Sequence, residues 1–144
     1  MNLNQRLAVI VFFLFLIPTG NIAAQIKSDM DSSCDLQRGA CTQPLSGGIG
    51  TVTLDISAKP VTAMSDLMFT VRVTGISLSD MPYIDLGMPG MKMGPNRVRL
   101  KPDANGTFTG NGIIVRCPSG KTLWQITVTV PGAGTAEFQI NVVY

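Results

Sequence analysis

The chain has 144 residues, enough for one domain of ordinary size, and 45% of them are hydrophobic against 14% charged. Its formal net charge of +2 gives no reason to expect binding to nucleic acid or to an anionic membrane surface. It contains no histidine, which excludes Ser/His and Cys/His catalytic pairs, and no pair of its scattered acidic residues suggests general acid/base catalysis, so we expect a protein that is not an enzyme.

The N-terminal segment has the order of a secretory signal peptide. One cation, Arg6, precedes an unbroken apolar run from Leu7 to Ile17. This run is shorter than the roughly 20 residues that a membrane-spanning helix needs, and small residues follow it. We therefore predict a signal peptide over residues 1–24, cleavage after Ala24, and a mature protein that is periplasmic or secreted.

The next segment, residues 25–48, is polar and lacks periodicity, and we predict an N-terminal arm there. It contains Cys34 and Cys41, and the third cysteine of the chain is Cys117. Exported thiols tend to oxidise, so we expect one disulfide and one remaining thiol. The sequence leaves three pairings open. A Cys34–Cys41 bond closes the shorter loop, and a bond from either residue to Cys117 would tie the arm to the domain.

From Ile49 onward, hydrophobic and polar residues alternate with a period of two. The alternation is plainest in TVTLDIS, LMFTVRVTG, LWQITVTV and TAEFQINVVY, which are rich in Val, Ile and Thr. Turns with Gly, Pro and Asn separate these segments, and no helical period competes. Residues 49–144 are therefore predicted to form an all-β domain, a β-sandwich, with Trp124 as a core anchor between its sheets.

Four methionines lie close together in DMPYIDLGMPGMKMGPN, at Met81, Met88, Met91 and Met93. The Pro89-Gly90 dipeptide is predicted to reverse the chain and bring Met88 toward Met91. Met91 and Met93 are two residues apart, so in an extended segment their side chains point to one side. Thioether sulfur is a soft ligand that selects Cu(I), whereas Zn²⁺ and Cu(II) favour imidazole or carboxylate. A histidine-free cluster of this kind predicts a site for the reduced ion.

The methionine cluster could instead serve packing alone, because methionine also fills irregular gaps in hydrophobic cores. However, Lys92 and the Pro and Gly residues around it predict a loop that solvent reaches. A purely structural methionine gains little in such a loop. The composition of the segment therefore favours contact with a metal or a partner over packing.

The segments GMPGMKMGPNRVRL and GTFTGNGIIVRCPSGKTLWQITVTV resemble the YtkA-like domain family. The pattern of that family has an MPxMxMG segment, an apolar strand, a G-x-(F/Y)-x-G hairpin and a strand ending of the form G-x-W or G-x-x-x-W. The matching positions here are Met88, Pro89, Met91, Met93 and Gly94, then Gly106, Phe108 and Gly110, then Gly120 and Trp124. The resemblance covers roughly Ile49 to Tyr144.

This resemblance implies an exported, immunoglobulin-like antiparallel β-sandwich of about seven strands. It also implies a place near bacterial copper and heavy-metal handling systems, since the domain occurs attached to membrane-fusion subunits of metal efflux pumps. Members of the family often carry histidine beside the methionines. This chain has none and adds three cysteines, which favours Cu(I) alone over Cu(II).

The leading hypothesis is therefore a periplasmic copper-handling protein that binds or passes on Cu(I). Met88, Met91 and Met93 are the predicted ligands, with Met81 or Cys117 completing the set, and the expected partner is a membrane or periplasmic metal-handling protein. One alternative is a non-metal interaction module that docks on a membrane complex or efflux system through the same loop. A third hypothesis is a thiol-redox accessory protein that uses its three cysteines.

Overall fold

A computed structural model describes residues 34–144 of the chain. The predicted signal peptide, residues 1–24, and the first part of the predicted arm, residues 25–33, lie outside the described residues. The described part forms nine β-strands. They are β1 (Cys41–Pro44), β2 (Thr51–Ser57), β3 (Leu67–Thr74), β4 (Tyr83–Gly87), β5 (Arg97–Arg99), β6 (Lys101–Pro102), β7 (Thr107–Gly112), β8 (Leu123–Val130) and β9 (Gly134–Asn141).

The strands form two antiparallel sheets, which confirms the predicted all-β sandwich. Sheet 1 has five strands in the order β1-β2-β3-β7-β6, and sheet 2 has four in the order β5-β4-β8-β9. Strands β5 and β6 belong to one segment that crosses from sheet 2 to sheet 1 at Leu100. This crossing, together with β1, accounts for a strand count above the predicted seven. Residues 34–144 contain no helix long and apolar enough to span a membrane.

The first strand lies in the segment that the sequence assigned to the arm. Residues 41–44 pair with β2, with Cys41 opposite Leu54 and Pro44 opposite Thr51. Sheet 1 therefore includes four residues of the segment that was predicted as the arm. Four residues are too few to show a clear alternation, so the strand is defined by its partner rather than by its own pattern. As an edge residue, Pro44 lacks the N–H group that another strand could pair with.

The alternating residues of the two sheets bury their apolar side chains against one another. Trp124 is fully buried, as predicted, and it packs in the same cluster as Phe69, Ile56 and Ile126. Burial of such surface contributes roughly 25 cal/mol per Å² and is the main stabilising term of this fold. Within the described residues no polar or charged residue is buried. The indole Nε1 of Trp124 has no hydrogen-bond partner there.

A disulfide and one glutamine close the side of the sandwich between β1 and β9. Of the three pairings that the sequence left open, the structure contains Cys34–Cys41. The bond holds a short loop in which Leu36 is buried with 1% of its surface exposed. The next side chain, Gln37, donates from Nε2 to the carbonyl oxygens of Val61 at 3.2 Å and of Asn141 at 2.7 Å. This loop leads into β1 of sheet 1, and its Gln37 hydrogen-bonds to Asn141 of β9 in sheet 2. The loop therefore connects the two sheets, and its Leu36 side chain is buried in the core.

The two ends of the sandwich are distinct surfaces. We call basal the end at which β2, β4, β7 and β9 end and β3 and β8 begin, and apical the opposite end. The register places Leu67 opposite Gly112 in sheet 1 and Gly87 opposite Gln125 in sheet 2, both at the basal end. The methionine segment follows β4 directly and is therefore basal.

Candidate functional site

The methionine segment begins with a tight hairpin. The N–H of Met91 donates to the carbonyl oxygen of Met88 at 3.2 Å, and Gly90 has a φ of +71°. A hydrogen bond across four residues, proline at the second position and positive φ at the third are the features of a type II turn. The predicted reversal of the chain at Pro89-Gly90 is confirmed. Its physical cause is local, because Pro89 has a fixed negative φ and Gly90 adopts a positive φ without steric cost.

This turn makes Met88 and Met91 a cross-strand pair. The two residues form an isolated antiparallel bridge, and the side chains of such a pair lie on the same face of a hairpin. Met88 is buried, with 6% of its surface exposed, whereas Met91 is 39% exposed. Met93 is half-buried and packs against the core cluster. The three thioethers thus range from the interior to solvent over one short segment.

All three methionines line one open groove of about 580 Å³, which we call the Met groove. The rest of the lining comes from residues 85–87 of β4, from the other residues of the 91–96 segment, and from Gln125 and Thr127 of β8. These two β8 residues occupy the outward positions of an alternating strand, as their sequence pattern indicates. The pattern does not show that β8 pairs with β4, so the sequence could not place them beside the methionines.

The charged groups of the groove do not offer a free carboxylate. Asp85 lines the groove, but it accepts two hydrogen bonds from Arg97, from Nε at 2.9 Å and from Nη2 at 3.2 Å. This hydrogen bonding raises the pKa of Arg97, and the guanidinium also lies 4.0 Å from the centre of the Tyr83 ring. Lys92, which also lines the groove, adds an exposed cation. Over residues 34–144, no three His, Cys, Asp or Glu side chains group in a way that could hold a metal ion.

Met81 is not brought to the other methionines. It lies before β4, at the apical end, and is 56% exposed. The five residues of β4 separate it from Met88, which at about 3.3 Å per residue places the two backbones more than about 16 Å apart. The extended strand between them therefore keeps Met81 away from the groove.

Cys117 is basal but does not line the Met groove. It is unpaired and buried, with 5% of its surface exposed, and its Sγ lies 3.0 Å from the Ser119 hydroxyl. Its N–H donates to the Tyr144 hydroxyl at 3.1 Å. The hydrogen bond with Ser119 lowers the pKa of the Cys117 thiol, while burial opposes this shift. The thiol is thus hydrogen-bonded within its own loop.

Burial should decide how Cys117 reacts. A lowered pKa raises the thiolate fraction, yet an alkylating reagent must also reach the sulfur. We expect the native protein to react with iodoacetamide at least about tenfold more slowly than the urea-unfolded, non-reduced chain, because reaction requires local opening. The measurement is a time course by intact-mass spectrometry. One modification should form in urea and three after reduction, and rapid modification of the native chain would contradict a buried thiol.

Comparison with known proteins matches this chain to no family model and to no curated protein. The resemblance to the YtkA-like family therefore stays a prediction that rests on its short motifs.

Proposed function

We propose that this chain is an exported protein that binds Cu(I) in the Met groove, with Met88, Met91 and Met93 as ligands. The observation that carries the proposal is the type II hairpin, which puts two thioethers on one face of a groove that the third also lines. Met81 is left out because β4 separates it from the groove. Cys117 is left out because it lies outside the groove lining.

The choice of Cu(I) follows from the donor atoms and the nearby charges. Thioethers bind soft monovalent ions, whereas Zn²⁺ and Cu(II) favour imidazole or carboxylate ligands. The one carboxylate in the groove lining, Asp85, is held by Arg97. Lys92 adds a repulsion that is twice as large for a divalent as for a monovalent ion. Both effects favour a singly charged ion.

The proposed location is the periplasm or another oxidising compartment outside the cytoplasm. The Cys34–Cys41 disulfide supports it, because such bonds persist in oxidising compartments and are rare in the cytosol. The proposed partner is a membrane or periplasmic protein that delivers or receives Cu(I). Met91 suits such a transfer, since its 39% exposure leaves its sulfur within reach of a second protein.

An anaerobic competition titration tests the metal proposal. We expect the protein to take one equivalent of Cu(I) from a chromophoric chelator, to bind Ag(I) in the same way, and to leave Zn²⁺ and Cu(II) unbound. Trp124 provides a second readout, because it is the only tryptophan of the chain and the β4–β8 register, extended by one residue, puts it opposite Met88. Its fluorescence should change with Cu(I) and not with Zn²⁺. A protein that takes no Cu(I) from a weak chelator would contradict the proposal.

The exposed thioether of Met91 also favours a second candidate, a non-metal interaction module. Methionine is flexible and polarizable, and it adapts to varied apolar partners. On this alternative the protein binds no Cu(I), but Met91 variants lose a partner in pull-down from solubilised membranes. No comparable feature favours the thiol-redox hypothesis, since Cys117 is buried and the other two cysteines are bonded to each other.

A further inference from the structure

The exposed hydrophobic residues of the described chain are not evenly spread. Apart from Ile49, Leu78 and Met81, every large exposed hydrophobic residue lies at or next to the basal end. The residues of the central group, which we call the basal patch, all lie outside the nine strands. It consists of Met64 at 67% exposure, Val143 at 46%, Ile113 at 43%, Val115 at 39% and Tyr144 at 36%.

The basal patch is one surface, because backbone hydrogen bonds join the segments that carry it. The N–H of Met64 donates to the carbonyl oxygen of Ile114 at 2.8 Å. The N–H of Ala63, one residue earlier, donates to the carbonyl oxygen of Val143 at 2.9 Å. Tyr144 follows directly in the chain. Ile114 itself is fully buried, so its two exposed neighbours are anchored beside the other patch residues.

Cations that form no ion pair lie at the same end of the sandwich as this patch. Lys92, Arg116 and Lys121 are exposed, and none of them forms a salt bridge with another described residue. The guanidinium of Arg116 lies 5.3 Å from the centre of the Tyr144 ring. Among the described residues, Asp66 carries the one basal side-chain carboxylate outside an ion pair, and the α-carboxylate of Tyr144 adds a second negative charge. The basal end therefore combines exposed apolar side chains with a local excess of positive charge.

We propose that the basal end docks on the surface of an anionic lipid bilayer. The apolar side chains of the patch would enter the headgroup boundary, and the three cations would face the lipid phosphates. Peripheral membrane binding depends on this pairing of buried apolar area with attraction to anionic lipids. A protein partner fits less well, because lysine is depleted in protein interfaces and the apolar side chains here stand among cations.

The small net charge of the chain does not oppose this proposal. Attraction to a charged surface falls off over a Debye length, about 8 Å at physiological ionic strength. Only the charges at the docked end contribute at that range, and the three unpaired basal cations outnumber the two unpaired basal carboxylates, those of Asp66 and of the Tyr144 main chain. The proposal is independent of copper, since vesicle binding is measured without metal.

Vesicle co-sedimentation tests the proposal. The protein used is the form that is secreted by a host able to export it. The probes are vesicles of phosphatidylcholine with roughly 30 mol% phosphatidylglycerol, and vesicles of phosphatidylcholine alone. We expect binding to the anionic vesicles only, weakened by added salt. The double variant Met64→Ser/Val115→Ser and the variant Arg116→Gln/Lys121→Gln should each weaken binding at least about tenfold.

Two variants remote from the patch serve as matched controls. Ile49→Ser removes an apolar side chain that is 69% exposed at the apical end, and Arg99→Gln removes an exposed cation from the face of sheet 2. Both should bind as the parent does. Equal binding to neutral vesicles, no binding at all, or equal losses in the controls would overturn the proposal. The proposal would also be overturned if sedimentation velocity showed a dimer for the parent protein and a monomer for the patch variants. The patch would then be the interface with a second copy of the chain.

Discussion

Replacing Met88, Met91 and Met93 together by leucine is expected to abolish tight Cu(I) binding while leaving the fold intact. Leucine removes the sulfur but keeps the volume, and such swaps usually cost less than about 1.5 kcal/mol of stability. Without thioethers, the side chains of the groove offer only amide and hydroxyl groups, the ion-paired Asp85 and the Lys92 ammonium, which are poor ligands for a soft ion. We expect the affinity in chelator competition to fall about 100-fold or more, equivalent to about 2.7 kcal/mol.

Three methionines outside the Met groove provide the matched control. Met64, Met68 and Met81 are exposed by 67%, 46% and 56%, and none of them lines the groove. Their triple leucine variant removes the same number of sulfurs and should bind Cu(I) as the parent does. If both triple variants lose affinity equally, binding is a property of exposed thioethers in general. If the groove variant binds unchanged, its methionines are not the ligands.

Gly110→Ala is expected to cause a large loss of stability although it adds only a single methyl group. A Cβ at this position would lie 2.5 Å from the carbonyl oxygen of Arg99 and 3.0 Å from Cγ1 of Val98. The first contact is with backbone, at the point where the chain crosses from β5 to β6. Since that segment pairs with both sheets, it cannot move away cheaply. We expect the free energy of unfolding to fall by about 3 kcal/mol.

Urea denaturation followed by Trp124 fluorescence measures this loss as a lower midpoint at an unchanged slope. Gly87→Ala is the control, because Gly87 also lies in a strand and a Cβ added there would meet no atom within 4 Å. Its effect should stay within about 0.5 kcal/mol. A Gly110→Ala protein as stable as the Gly87→Ala protein would show that the crossing is more pliable than its pairings suggest.

The sequence was sufficient wherever the cause of a structure is local. Alternation at a period of two predicted the all-β sandwich and the burial of Trp124, because successive side chains of a strand face opposite ways. Pro89 and Gly90 predicted a turn that their own dihedral preferences produce. The G-x-F-x-G pattern was visible too, but not the separate reasons for its glycines. Gly106 has a φ of +68° in a turn, and Gly110 is required by a neighbouring backbone.

Features that join distant segments were decided only by the tertiary structure. The polar residues 41–44 become a strand because β2 offers them an edge, and the Cys34–Cys41 pairing accompanies that strand. The groove wall from β8 and the separation of Met81 both depend on how β4 pairs and where it ends.

The basal surface shows most clearly the difference between what the sequence determined and what required the tertiary structure. By itself, the sequence determined an all-β sandwich, a cluster of methionines and a net charge of +2 that gave no reason to expect membrane binding. The tertiary structure gathered Lys92, Arg116 and Lys121 with exposed apolar residues at one end. A summed charge carries no information on where charges lie, whereas electrostatic attraction and apolar burial both act over short distances. Only the folded chain therefore determines which surface another molecule meets.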